Sequence, residues 1–392
     1  MPAKKESKLL KLTAVEETVS APKKTVKQLM AEMKRNPKFA EFNKMQMASD
    51  MKAMEVVPTG ILGLDHALSV GGFPRGKVIQ LYGNESSWKS TICLRTIAEA
   101  QKLGGDALWI DAEGSFDKNW AKANGVDVER CGLLFPDTQE DALNTVEHFA
   151  RNGTSIIVLD SIAALAPHKE KYADATKREY MPLDKEQMGI FAKNMAKFFR
   201  RSLSVFAEHG TIFLVVNQLR SSLSPYGSPT SVPGGKALKH ANSISINMKR
   251  LTAEADRVLD TDKNIIGSKY QFTIDKTRFG VIGTTGSFQV IGTQVDNILT
   301  LRDIAVREGI IPKINASNYL VDGEKINGAA NVALALAKNP ELAREIETQI
   351  RSKMGFNVTS DIRAPLNAEV DVSMEDLNSM EDESYTEETT EE

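Results

Sequence analysis

The sequence predicts an α/β protein with a mixed, mostly parallel sheet, and three observations predict it. Continuous apolar runs at Val78-Ile79-Gln80-Leu81-Tyr82, Ala107-Leu108-Trp109-Ile110, Ile156-Ile157-Val158-Leu159 and Ile212-Phe213-Leu214-Val215-Val216 are separated by helical stretches. That is the pattern of parallel strands covered on both faces. The last three runs end on polar residues, Asp111, Asp160 and Asn217-Gln218. The first passes directly into helical spacing at Ile92, Leu94, Ile97 and Ala98. In such sheets ligands bind beyond the carboxyl ends of the strands, where all of these polar residues fall.

The strand-to-helix junction reads Gly83-Asn84-Glu85-Ser86-Ser87-Trp88-Lys89-Ser90-Thr91. Successive backbone N–H groups and the positive end of a helix dipole converge at such a junction, which suits it to phosphate. Lys89 is then the phosphate lysine and Ser90 the Mg²⁺ ligand. The usual G-x-x-x-x-G-K-[ST] pattern has glycine where this chain has Trp88, and glycine is preferred there for close packing and positive φ. Asp160 fits the second half of such a site, a carboxylate that helps hold Mg²⁺. Glu113 is placed to orient or deprotonate a water, and Gln218 to hydrogen-bond the γ-phosphate and link it to the loop that follows. Taken together, these residues predict nucleotide hydrolysis.

With 392 residues, 41% hydrophobic and 26% charged, the chain has room for one large domain with smaller attachments. Cys93 and Cys131 are too few for a disulfide framework, so a reducing, cytoplasmic setting is expected. No apolar run approaches the ~18 residues of a membrane span. The lysine-rich start has no apolar core behind it, so no signal peptide is expected. Eleven of the 52 acidic residues fall from Glu369 onward and none of the 49 basic ones lies beyond Arg363, so the first 368 residues carry eight excess positive charges. A basic body with an acidic tail suits a polyanion partner and an internal competitor for it, or simply a solubilising tail.

In chain order, residues 1–25 lack periodicity, and a methionine-rich helical pattern over 26–54 is interrupted at Asn36-Pro37. Residues 219–235 form a long Ser/Pro/Gly loop, and loops of that length inside a domain are usually functional or disordered. Ser243–Asn247 and Tyr270–Ile274 read as strands that extend the sheet in antiparallel fashion. Two helices broken at Asn339-Pro340 follow and belong to a small second domain.

These motifs resemble a bacterial RecA-type DNA recombinase of the phage-encoded kind. The match covers about residues 56–355. It includes the loop through Thr91 apart from Trp88, Ile110-Asp111-Ala112-Glu113, Asp160-Ser161-Ile162-Ala163-Ala164-Leu165, Asn217-Gln218-Leu219-Arg220 and Gly234-Gly235-Lys236-Ala237-Leu238-Lys239. Phage relatives accept an aromatic at the Trp88 position. The resemblance implies that Asp117 and Trp120 contact adenine, with Trp120 replacing a stacking tyrosine. Lys276 and Arg278 match two lysines that reach a neighbouring protomer's ATP, and arginine keeps the charge while adding a donor fork. For DNA, Arg220, Leu223, Gly234, Gly235 and Lys236 match contacts of the second loop. Met188, Lys193 and Arg200 match contacts beyond the first loop, residues 167–187, although they also fit an ordinary amphipathic helix.

The implied architecture is a RecA-like P-loop ATPase core with an N-terminal helical arm and a small α+β C-terminal domain. Its divisions are 1–55, a flexible start and protomer-docking arm; 56–292, the core; 293–364, a duplex-capturing domain; and 365–392, a disordered acidic tail that competes with DNA. The implied activity is ATP- and Mg²⁺-dependent recombination by a helical homo-oligomer on single-stranded DNA. That oligomer pairs its strand with double-stranded DNA, with single-strand-binding and loader proteins as further partners and no membrane. The cell is bacterial or phage-infected. The alternatives are a ring-forming motor of the same fold and a non-hydrolysing single-strand-binding protein.

Overall fold

The computed structural model describes residues 24–354 apart from 38–44, 52, 175–178, 182–188, 222–229, 232 and 260–261. The described residues divide into two units, one before Glu55 and one from Glu55 onward. In the first, helix α1 (Val26–Arg35) starts at a capping box in which Thr25 and Gln28 satisfy each other's backbone N–H groups. Lys34 and Arg35 sit at its negative end, and none of its residues is buried.

The larger unit is built on ten strands: β1 (Val78–Gly83), β2 (Ala107–Asp111), β3 (Cys131–Leu134), β4 (Ile156–Asp160), β5 (Ile212–Gln218), β6 (Ile244–Arg250), β7 (Arg257–Leu259), β8 (Ile265–Thr277), β9 (Thr285–Ile291) and β10 (Gln294–Asp296). Their order is β10-β9-β8-β6-β1-β5-β4-β2-β3, with β7 paired beside β8. From β6 to β3 every pairing is parallel. From β6 to β10 every pairing is antiparallel.

Helix α2 (Leu62–Ala67) precedes β1, and helices α3 (Lys89–Lys102), α4 (Lys118–Ala123), α5 (Gln139–Arg151), α6 (His168–Lys171), α7 (Ile190–His209) and α8 (Gly235–Ala241) connect the strands. The strand period sorts the core into two layers. Ile79, Leu81, Ile156, Val158 and Leu214 meet Ile92 and Ile97 of α3 on one face. Ile157, Leu159, Phe213 and Val215 meet Leu143 and Val146 of α5 and Met195 and Phe198 of α7 on the other. Strands buried on both faces read as unbroken apolar runs, as expected.

The run at 243–247 departs from expectation, because β6 pairs parallel with β1 and only β8 onward reverses. Helix α8 is the reason. It carries the chain from β5 back across β1, a crossover of the kind that joins parallel strands. Strand β3 escaped the sequence reading because Cys131-Gly132-Leu133-Leu134 is short and half exposed.

Helices α9 (Ile298–Arg307), α10 (Ala329–Lys338) and α11 (Pro340–Lys353), with the hairpin Asn318–Val321/Glu324–Asn327, enclose their own apolar cluster around Leu301, Val332, Leu336 and Ile346. Asn339 caps α11 through the Leu342 N–H at 3.2 Å, and Pro340 takes the first turn, where its missing N–H is harmless. Leu62 of α2 joins this cluster. Beside it lies a buried ion pair, Arg351 Nη2 at 3.4 Å from Asp65 Oδ2. The other Asp65 oxygen accepts from the Thr59 N–H and hydroxyl, both at 2.8 Å. Among the described residues no helix is long and apolar enough to cross a membrane.

Burial holds the Asp65 carboxyl at about 7, with the Arg351 charge and the Thr59 hydrogen bonds opposing it only in part. Its proton is therefore bound more tightly in the folded chain than in the unfolded one, where the ordinary value is 3.8. Stability from this group is fully present below about pH 4 and is lost as pH rises through about 7. Thermal melts of wild type and Asp65→Asn, a neutral isostere of the protonated acid, should lie closest at the acid end of that window, with wild type losing stability relative to the variant as pH rises toward 7. Wild type gaining stability relative to the variant as pH rises would show the pair acting mainly as an ionised bridge.

Candidate functional site

The carboxyl ends of four parallel strands form the site, and their register decides what meets. Gly83 pairs with Gln218 across β1 and β5, and Asp111 with Asp160 across β2 and β4. Gly83 has φ 155, and a Cβ added there would stand 2.0 Å from the Met248 carbonyl oxygen of β6. Only glycine lets the loop leave the sheet at this point.

Within the loop the Ser87 hydroxyl donates to the Asn84 carbonyl at 2.7 Å. Lys89 Nζ donates to the same carbonyl at 2.6 Å and to Ser87 Oγ at 3.1 Å. Asn84, Glu85 and Ser86 are exposed, and Thr91 is buried in the first turn of α3. Burial pushes the Lys89 amine down, against the pull of Asp160, Glu113 and Glu85.

Trp88 takes the left-handed conformation itself, with φ 69 and ψ 14. For an L-residue this costs about 1–2 kcal/mol. Its indole packs on Tyr270 (centroids 5.7 Å apart, planes at 30°) and on Phe288 (5.6 Å, 50°). Each aromatic contact contributes about 0.5–1.5 kcal/mol, enough together to offset the strain. The missing glycine therefore leaves the loop's strand-to-helix path intact.

Ser90 Oγ donates to Asp160 Oδ2 at 2.5 Å. Burial, with the charges of Glu113 and Asp111, raises the Asp160 carboxyl to about 6 against the Ser90 hydrogen bond and Lys89. A hydroxyl and a carboxylate side by side are hard oxygen donors suited to Mg²⁺, which takes its other ligands from water and phosphate. Among the described residues no cluster of three or more His, Cys, Asp or Glu could hold a metal by protein ligands alone.

Asp111 organises the neighbouring loop, a role its place at a strand end did not announce. Its carboxylate accepts from the N–H groups of Glu113 at 3.1 Å, Gly114 at 2.8 Å and Phe116 at 2.8 Å. The loop so wound presents Glu113 to solvent. Glu113 Oε1 accepts from Gln218 Nε2 at 2.9 Å and also from the Ser161 hydroxyl. Gln218 thus engages Glu113, where the sequence reading had directed it at phosphate.

Asn217, fully buried, receives the Gln218 N–H on Oδ1 at 3.0 Å and donates from Nδ2 to the Pro233 carbonyl at 2.6 Å. It pins together the two ends of loop 219–235, which the short pairing Arg220–Ser221 with Thr230–Ser231 also closes. Gly234 and Gly235, at φ 103 and 63, turn the loop into α8, where Lys236 is exposed. The Arg220 side chain and the whole of Leu223 and Met188 lie outside the described residues, as does the acidic tail. Lys193 and Arg200 stand on the exposed face of α7, opposite buried Met195 and Phe198.

Asp117 caps α4 by accepting the Trp120 N–H at 2.6 Å. Trp120 Nε1 reaches Thr91 Oγ1 at 3.3 Å, which sets the indole over the start of α3. Lys276 and Arg278 are engaged elsewhere, at the carboxyl end of α8. Lys276 Nζ donates to the Lys239 carbonyl at 2.6 Å and to the Asn242 carbonyl and side-chain oxygens at 2.6 and 2.7 Å. Arg278 Nη2 donates to the His240 carbonyl at 3.3 Å.

A phosphate loop on β1 with carboxylates at the ends of β2 and β4 defines a P-loop nucleoside triphosphatase. The RecA N-terminal domain matches residues 24–293 and the RecA C-terminal domain residues 300–355. Protein RecA of Saccharopolyspora erythraea is 34% identical over 332 residues, spanning 83% of this chain and 92% of that one. Protein RecA of Frankia alni is 34% identical over 335 residues, spanning 84% and 93%. A crystal structure of the RadB recombinase aligns with a TM-score of 0.46 at 18% identity, over 61% of this chain and 98% of that one. The chain belongs to the RecA family of DNA recombinases. It is a DNA-binding recombination protein with DNA-dependent ATPase activity.

Asp111→Ala removes the acceptor that three backbone N–H groups share. DNA-stimulated ATP turnover should fall by about 10- to 100-fold through misplacement of Glu113, while nucleotide still binds. Unchanged turnover would show that loop 112–116 keeps its shape without the carboxylate.

Proposed function

We propose that the chain assembles on single-stranded DNA as a helical filament with ATP sandwiched between protomers, and uses that filament to pair the strand with a homologous duplex. The observation that carries this reading is the Gln218–Glu113 hydrogen bond of 2.9 Å. It joins Glu113 to Gln218, the last residue of β5, directly before the loop whose ends Asn217 pins together. A nucleotide site and a candidate DNA loop then share one hydrogen-bonded hinge.

In this reading the backbone of residues 83–88 and the Lys89 ammonium bind phosphate, and Thr91 supports the first turn. Ser90, with Asp160 acting through water, would hold Mg²⁺, which supplies charge neutralisation at the phosphates. Glu113 takes a proton from the attacking water, and Gln218 exchanges between Glu113 and the γ-phosphate. Asp117 and Trp120 hold the adenine. Lys276 and Arg278 close the site of the adjacent protomer. Met188, Lys193 and Arg200 on one side, and Arg220, Leu223, Gly234, Gly235 and Lys236 on the other, contact the DNA strand.

The unburied apolar face of α1 supports an arm that docks on a neighbouring protomer. Residues 293–364 serve as the duplex-capturing domain, and the tail at 365–392 competes for the basic surface. Single-strand-binding and loader proteins complete the partners, in bacterial cytoplasm. Trp88 in place of glycine supports a phage-encoded member.

Steady-state ATP hydrolysis with and without single-stranded DNA, wild type beside Glu113→Gln, tests the chemistry. Stimulation in wild type and a loss of about 100-fold or more in the variant are expected. Equal rates in the two proteins would remove Glu113 from the role of base. Electron microscopy of the same complexes separates helical filaments from rings.

Mixing tests the shared site. Lys89→Ala and Lys276→Ala/Arg278→Ala proteins, each inactive alone, should regain turnover when combined, because some junctions then hold one intact set of both halves. A mixture no more active than its components would place the two cations in their own protomer's chemistry.

A further inference from the structure

Tyr270 and Phe288 are directly opposite one another in the β8–β9 ladder, and their rings stack at 5.7 Å with planes 21° apart. Both are buried, at 8% and 3% exposure, so their rotamers are fixed by the core around them. Trp88 closes this cross-strand pair into a cluster of three rings, contacting each within 5.7 Å. The residue so held is the last one before Lys89 and the N-cap of α3. Its backbone and that of Ser86, at φ 56, are the two left-handed non-glycine turns in the loop.

A glycine at this position reaches the left-handed region freely, but it also leaves that region freely. An indole wedged on two buried rings does not. We infer that Tyr270 and Phe288 are positioning residues for the phosphate loop, and that Trp88 is the link through which they act. In this chain the conformation that glycine ordinarily permits is enforced from outside the loop, by side chains on β8 and β9 that belong to no phosphate-binding motif. The inference rests on the reading that the loop around Lys89 holds ATP. It predicts that restoring glycine weakens nucleotide binding instead of repairing it.

The test is the affinity of the full-length chain for Mg·ADP by calorimetry, well below the melting temperature. Wild type is set beside Trp88→Gly, Trp88→Phe, Tyr270→Leu and Phe288→Leu. Trp88→Gly should bind about tenfold more weakly, and each leucine variant about 3- to 10-fold more weakly. Trp88→Phe, which keeps a ring on the pair, should bind within about threefold of wild type.

The double variant Trp88→Gly/Tyr270→Leu should bind no worse than Trp88→Gly alone, since the second change acts only through the indole. A purely structural role would lower the melting temperature of the leucine variants and leave their affinity unchanged, which overturns the inference. Tighter binding by Trp88→Gly overturns it equally. If Trp88→Gly fails to fold, the leucine variants and Trp88→Phe decide by the same criteria. Wild-type chain that binds no ADP would sink the nucleotide site itself, a failure distinguishable from that of the ring cluster.

Discussion

The parallel ladder that sets Gly83 beside Gln218 and Asp111 beside Asp160 is the constraint on which the nucleotide site depends. A slip of one residue in any of these strands would turn its polar end to the opposite face. Register is secured because both faces are buried: alternate residues of β4 belong to different apolar clusters. The hydrophobic effect therefore does more than hold the sheet together. It fixes which carboxylate meets which loop, and the short hydrogen-bonded span from Ser90 to Asp160 follows from it.

From that edge the polar groups form a chain of contacts with two levels. Asp111 and Asn217 are buried and act on backbone, one winding loop 112–116 and the other closing loop 219–235. Glu113 and Gln218 lie outside them and meet each other. The inner pair makes geometry and the outer pair stands at the more exposed edge. Buried acceptors that satisfy several N–H groups are difficult to move, because every donor released must find water or another partner.

Much of this was legible in the sequence, for physical reasons that differ by residue. The apolar runs and their polar ends reported the sheet because burial on both faces leaves no alternation. Ser90 and Asp160 were readable because a phosphate loop and an Asp-ended strand carry local signatures, and the structure brings them within hydrogen-bond distance. Asp111 was seen only as a strand end, since winding a loop through three N–H groups leaves no spacing signal. The rings that support Trp88 lie 182 and 200 residues further along the chain, and only the fold reveals that they stack against it. The parallel pairing of β6 was misread for a related reason. The crossover from β5 over β1 is made by loop 219–235 with one seven-residue helix, and Gly235–Ala241 shows too little periodicity to announce it.

Lys276 and Arg278 terminate α8 by covering its last carbonyls, as cations favour the negative end of a helix dipole. That helix begins where loop 219–235 ends. A lysine drawn toward another molecule's phosphates must give up three acceptors here, and the helix then loses its terminal lock. In a polymer of such chains, the state of one short helix would record whether its protomer has a neighbour loaded with nucleotide. On the proposed reading, the memory of assembly would be written at the far end of the segment assigned to the DNA strand.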